Sequence, residues 1–229
     1  MKKEEHCLQH VCNMQKSAYH RQGNFMAPAI SKAWLTGHFK RGVVMKTYTI
    51  VAGVDGSGKS SLTGVLRTEI TNLGKIIDVD KITADCGGSQ INGAKKALGL
   101  ISDCLEKGIC FTQETTLSGH KTLNTIKTAI EKGYYIRLYY VGINTLEDCL
   151  SRIENRVKKG GHAISAEDVK RRFAKRFDDL VDIIDFCDEA TFYDNENGFD
   201  AVAEYKNGEL KQKGRYVPQW LKELMSLLG

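Results

Sequence analysis

Gly53-Val54-Asp55-Gly56-Ser57-Gly58-Lys59-Ser60 is the stretch around which the chain is organised. It satisfies G-x-x-x-x-G-K-[ST] at every fixed position, through Gly53, Gly58, Lys59 and Ser60. Its flanks match the motif's mechanical needs. Thr47-Tyr48-Thr49-Ile50-Val51-Ala52 is β-branched and aromatic, a strand by composition. Ser61 to Asn72 places Leu62, Val65, Leu66 and Ile70 at helical spacing. Glycines let successive backbone N–H groups turn toward a phosphate, and the helix N-terminus adds partial positive charge. The stretch Gly53 to Ser61 is therefore the candidate cradle for a nucleoside triphosphate. Lys59 is expected on the β- and γ-phosphates and the Ser60 hydroxyl on Mg²⁺.

Outward from this loop, strand and helix patterns alternate. Lys75 to Asp80 reads as a second strand ending in Asp80, and Gly93 to Glu106 as a helix burying Ala94, Ala97, Leu98, Ile101 and Leu105. Ile109 to Gln113 reads as a third strand, and Thr122 to Lys132 as a helix closed by Gly133. Tyr134 to Val141 is the strongest strand signal, and Thr145 a helix cap with an acidic residue three positions on. Glu167 to Phe186 reads as one amphipathic helix, and Glu189 to Tyr193 as a strand. Residues 201–211 predict a hairpin through Asn207-Gly208, and Trp220 to Leu228 a terminal helix packing Leu221, Leu224, Met225 and Leu228. The alternation predicts an α/β, P-loop nucleoside-triphosphate fold: a mostly parallel sheet with helices on both faces.

The 229 residues are 41% hydrophobic and 27% charged, the balance of a globular domain, and no run approaches the roughly 18 apolar residues of a membrane span. The net charge of +5 is localised. Lys2, Lys3, Lys16, Arg21, Lys32, Lys40 and Arg41 face only Glu4 and Glu5 within residues 1–44, so the remainder is balanced. That balance gives no electrostatic case for nucleic acid. Residues 1–44 thus stand as a basic leader outside the P-loop domain of residues 45–229, expected to be disordered or not natively translated. Met45 is the expected start, because Arg41-Gly42 can be encoded by a purine-rich ribosome-binding sequence. The seven cysteines form no C-x-x-C pair and read as reduced cytoplasmic thiols. His120 and His162 read as isolated, with no zinc spacing.

Ligands in open parallel sheets bind at the carboxyl ends of the strands. Asp80, ending the second strand, and Glu114, after the third, are therefore candidates to accept a proton from a hydroxyl or to hold Mg²⁺. Arg152 and Arg156 lie four apart on one helix. They are followed by Lys158-Lys159-Gly160-Gly161-His162 and then Arg171, Arg172 and Arg176. Two helices lined with arginine about a Gly-Gly turn describe a lid over phosphates, where positive charge stabilises a transferring phosphoryl group.

In this order the motifs resemble the zeta toxin family of P-loop kinases. The matching parts are Gly53 to Ser60, Ile76-Ile77-Asp78-Val79-Asp80, Gln113-Glu114-Thr115-Thr116, and Arg152-Ile153-Glu154-Asn155-Arg156 with the Gly-Gly-His turn. The resemblance covers roughly residues 46 to 195. It implies transfer of the ATP γ-phosphate to a sugar hydroxyl of UDP-N-acetylglucosamine, and an antitoxin protein as partner. It further implies Asp80 as base, Glu114, Thr115 and Thr116 as acceptor contacts, and Arg156 as a lid charge. Two departures matter. His162 stands where plasmid toxins carry a second lid arginine, and a neutral histidine supplies no fixed charge. Either His162 donates a hydrogen bond, or Arg171 or Arg172 takes the arginine's place. Lys81 follows Asp80 where an aromatic or small residue is usual. Two other readings stay open: a kinase for another hydroxylated metabolite, and a P-loop ATPase switch acting on a protein.

Overall fold

The β-branched run before the glycine loop forms β1 (Thr47–Ala52), all six residues of which are buried. The computed structural model describes residues 45–70, 72–118, 120–161 and 163–228, so the leader and the expectations placed on it lie outside the described residues. After β1 come α1 (Lys59–Glu69), β2 (Lys75–Asp78), α2 (Val79–Asp85), α3 (Gln90–Lys107), β3 (Phe111–Thr115), α4 (Lys121–Glu131) and β4 (Tyr135–Gly142). Then follow α5 (Leu146–Lys158), α6 (Ala166–Ala174), α7 (Asp178–Ile184), β5 (Glu189–Asp194), β6 (Asp200–Lys206), β7 (Glu209–Gln212) and α8 (Gln219–Leu228). The sheet order is β2-β3-β1-β4-β5-β6-β7. The first five strands are parallel, and β6 and β7 add antiparallel at one edge.

Because successive strand residues face opposite sides, β1 divides the core. Tyr48, Ile50 and Ala52 pack with Ala97, Ile101, Ile126, Leu180, Ile183, Leu221 and Leu224, drawn from α3, α4, α7 and α8. Val51 faces the other way, onto Leu62 and Leu66 of α1. Helices thus cover both faces, as the alternating pattern predicts. A third cluster joins Val54 of the glycine loop to Cys149 and Ile153 of α5 and Val169 of α6.

Several expectations are corrected. β2 stops at Asp78, not Asp80, because the Asp78 carboxylate caps α2 by accepting the Lys81 N–H at 3.1 Å. β3 begins later than the sequence pattern suggests and runs through Glu114, which is buried within the strand instead of following it. The expected helix over 167–186 is two helices. At the break, the Arg176 carbonyl accepts the Tyr140 hydroxyl at 3.3 Å, and the Arg176 guanidinium lies over the rings of Phe173 and Phe177 at 4.2 and 4.6 Å. Arg176 also pairs with Glu223 of α8. Val65, Leu98 and Met225 are exposed: each helix buries a narrow stripe, such as Leu62 with Leu66, and these residues sit on its flank. The hairpin matches its expectation, with Asn207 and Gly208 both at positive φ, as a tight two-residue turn requires.

Candidate phosphate-binding and phosphoryl-transfer site

The glycine loop runs from the end of β1 into α1 at the carboxyl edge of the sheet. Gly58 occupies the N-cap of α1 at φ 105°, and no side chain caps the helix. The first turn of α1 contains no acidic residue, so its N-terminal N–H groups and dipole remain available to an anion. A Cβ on Gly58 would fall 2.4 Å from the Asn195 amide nitrogen, and one on Gly56 would fall 2.8 Å from the Cys149 carbonyl. The loop is therefore pressed between the β5–β6 turn and α5, at a distance only glycine permits. Within it, Ser57 N–H donates to the Val54 carbonyl at 3.2 Å. Lys59 folds back across the loop and donates its Nζ to the same carbonyl at 3.0 Å.

Two further observations fit a polyanion with a divalent metal. Ser57 Oγ is buried with no hydrogen-bond partner, so a hydroxyl in the cradle awaits one. Ser60 Oγ donates to Glu114 Oε2 at 2.6 Å, which brings together the hydroxyl and carboxylate that would jointly hold Mg²⁺. Glu114 reaches this position because β3 is the immediate neighbour of β1, with Glu114 in register with Val51 and Asp78.

The lid arginines divide. Arg172 of α6 donates Nη1 to Asp55 Oδ2 at 3.0 Å, and Asp55 is 1% exposed. The pair neutralises a carboxylate buried inside the phosphate loop and ties the lid to it. Arg172 Nε and Asp55 Oδ1 are both buried with no partner. Arg152 donates Nη2 to the Asn195 carbonyl at 2.6 Å, and so braces the turn that contacts the loop. Arg171 is exposed and pairs at 2.7 Å with Asp168 on its own helix. Of the two arginines weighed as a replacement for the family's second, Arg172 is the one at the loop. Arg156 is partly buried on α5, and its carbonyl accepts the Gly161 N–H at 2.9 Å. His162 lies outside the described residues.

Asp80 is exposed in the first turn of α2, two residues beyond the strand end. Thr115 closes β3, and its Oγ1 accepts the Leu117 N–H at 3.0 Å, while the Thr116 and Ser118 hydroxyls bond each other at 3.0 Å. These bonds hold Leu117 at φ 56° with its side chain buried, a strained conformation that shapes the loop beside Glu114. His120 is not isolated: potential ligand atoms of His120, at the N-cap of α4, and of Asp179 and Asp182 in α7 lie within 4.8 Å of one another. Beneath the loop, burial and then the Asp55 carboxylate push the Cys149 thiol up to about 12, so it stays protonated. Asn195, whose side-chain Nδ2 donates to the Ser57 carbonyl at 2.8 Å, is a contact to the glycine loop that the sequence alone did not single out. The signal was present, because Asp194-Asn195-Glu196-Asn197-Gly198 is a turn at the carboxyl end of a parallel strand, where ligands bind.

No family model matches the chain. An uncharacterized protein of Haemophilus influenzae is 38% identical over 126 residues, covering 53% of this chain and 88% of its own. The chain belongs to that protein's family. Among solved structures, the chain matches one from the PezAT chromosomal toxin–antitoxin system of Streptococcus pneumoniae. Identity there is 13% and the TM-score 0.55, over 94% of this chain and 93% of the other. The AvrRxo1-ORF1:-ORF2 structure with ATP matches at 14% identity and TM-score 0.55, over 80% of this chain and 63% of that one. The fold is that of the zeta-toxin-like P-loop kinases. Among the described residues no helix of this P-loop fold is long and apolar enough to cross a membrane.

Proposed function

We propose that this chain is an ATP-dependent small-molecule kinase that transfers the γ-phosphate to a sugar hydroxyl, with UDP-N-acetylglucosamine as the leading acceptor. The observation that carries the reading is the Ser60–Glu114 hydrogen bond beside an uncapped helix N-terminus: a metal-binding pair set against a phosphate cradle. The choice of acceptor rests on the motif order, above all Asp80 with Glu114-Thr115-Thr116.

In this reading Lys59 exchanges the Val54 carbonyl for the β- and γ-phosphates, and the α1 N-terminus holds the chain of phosphates in line. Mg²⁺, when bound, neutralises phosphate charge. Ser60 and Glu114 orient it through hydroxyl and carboxylate oxygens. Arg156 and Arg172 supply positive charge from the lid, Arg172 through the Nε it does not use on Asp55. Asp80 takes the proton of the acceptor hydroxyl as its oxygen bonds to phosphorus and the bond to the ADP oxygen breaks. Thr115 and Thr116 flank the acceptor. The unclustered cysteines support a cytoplasmic location, and the resemblance supports an antitoxin protein as partner.

Incubation of the full chain with ATP, Mg²⁺ and UDP-N-acetylglucosamine, with product mass measured, tests the proposal. A singly phosphorylated nucleotide sugar is expected, with its rate reduced on the order of a hundredfold or more in Asp80→Asn. ATP consumption without a phosphorylated sugar, or a rate indifferent to Asp80→Asn, overturns it.

A further inference from the structure

Asn195 lies in the β5–β6 turn, 138 positions from the residue it contacts in the phosphate loop. Its amide Nδ2 donates to the Ser57 carbonyl at 2.8 Å, and its own backbone carbonyl accepts Arg152 Nη2 at 2.6 Å. The residue before it is anchored as firmly. Asp194 is buried, accepting the Trp220 indole N–H at 2.7 Å through Oδ1 and the Glu196 N–H at 3.2 Å through Oδ2. The Asn195 backbone is thus held on one side by α5 and, through Asp194, on the other by the core, and a Cβ on Gly58 would fall 2.4 Å from the side-chain nitrogen.

The consequence follows from the planarity of the peptide unit. In a trans peptide the carbonyl and the following N–H point in opposite directions. Fixing the Ser57 carbonyl on Asn195 therefore turns the Gly58 N–H away from Asn195, at the residue that forms the N-cap of α1. A peptide free to flip would instead offer its carbonyl oxygen to an incoming phosphate, a repulsive contact. We propose that Asn195 is a positioning residue that locks the Ser57–Gly58 peptide with its N–H toward the phosphates, and that Arg152 serves the site by bracing Asn195. The inference rests on the kinase reading and assigns Asn195 no contact with the reacting atoms.

Equilibrium binding of ADP with Mg²⁺ to the full chain tests it, for wild type, Asn195→Ala and Asn195→Asp, from about pH 8 down to about pH 4, where an ordinary aspartate becomes half protonated. Loss of one donor predicts an affinity about tenfold weaker in Asn195→Ala, constant relative to wild type across the range. At about pH 8 the ionised Asn195→Asp side chain has no proton to give the carbonyl and adds negative charge, so it should bind more weakly than Asn195→Ala. As pH falls, its neutral acid regains a donor and binding should recover toward wild type, a signature that loss of packing alone does not produce. Asn195→Ala binding ADP within twofold of wild type overturns the inference, as do Asn195→Ala and Asn195→Asp variants that behave alike at every pH. Wild type that fails to bind ADP at all overturns the kinase reading beneath it.

Discussion

Removing Arg172 should affect stability and nucleotide binding together, for one electrostatic reason. Asp55 is 1% exposed within the phosphate loop, and Arg172 Nη1 at 3.0 Å is its charged partner. Breaking a buried ion pair by deleting one member costs roughly 3–5 kcal/mol, because the remaining charge is left desolvated. The Arg172 side chain is 25% exposed, so water can partly replace it, and about 3 kcal/mol is the expected cost of Arg172→Ala. Asp55→Ala/Arg172→Ala removes both charges and should recover about 2 kcal/mol relative to the sum of the single variants. The same Arg172→Ala change leaves an uncompensated carboxylate where phosphate must enter, so ADP affinity should fall more than tenfold and return in part in the double variant. Urea unfolding followed by circular dichroism, with ADP titration, measures both. Arg171→Ala is the control. Its pair with Asp168 is exposed at 60% and 46% and screened by solvent, and it joins two residues of the same helix. The reasoning is refuted if Arg172→Ala and Arg171→Ala lose equal stability, or if the double variant is as unstable as the two single losses combined.

Other parts of the structure carry their own expectations. Glu114→Gln should weaken Mg²⁺-dependent ADP binding about tenfold while leaving binding in EDTA unchanged, since Ser60 and Glu114 meet at the proposed metal position; parallel titrations with and without Mg²⁺ check this. Gly142→Ala places a Cβ 2.1 Å from the buried Trp220 ring, and overpacking of about 1–3 kcal/mol should appear as a lowered melting temperature. Native alkylation with iodoacetamide near pH 8, read by peptide mass spectrometry, should modify the partly exposed Cys86 and spare Cys149, which is buried and has its thiol held up at about 12.

What was legible in the sequence was local. The glycine loop, the strand before it and the helix after it lie within two dozen residues. Their chemistry is written in φ-permissive glycines and periodic apolar positions, so the cradle and the α/β class could be read directly. Thr145 was legible as a cap for the same reason: its Oγ1 accepts the Asp148 N–H three residues on, at 3.1 Å. Asp78 escaped because two local signals compete there. β-branched Val79 favours extending the strand, while the Asp78 carboxylate favours starting a helix, and the cap wins. The break before α7 was illegible because its cause is distant: Tyr140 and Glu223 hold Arg176 from other elements. The same holds for the site's closure. Arg172 meets Asp55 across 117 positions and Asn195 meets Ser57 across 138, and neither pairing leaves a periodic trace in the chain.

The central claim is that the cradle feeds phosphoryl transfer to an acceptor, not to water. The most direct measurement follows the γ-phosphate of labelled ATP in a single turnover of the full chain, with and without UDP-N-acetylglucosamine. The account predicts that label leaves ATP rapidly only when the sugar is present and appears on the sugar, and that Lys59→Ala abolishes the transfer. Label released as inorganic phosphate at the same rate with or without the sugar would contradict it.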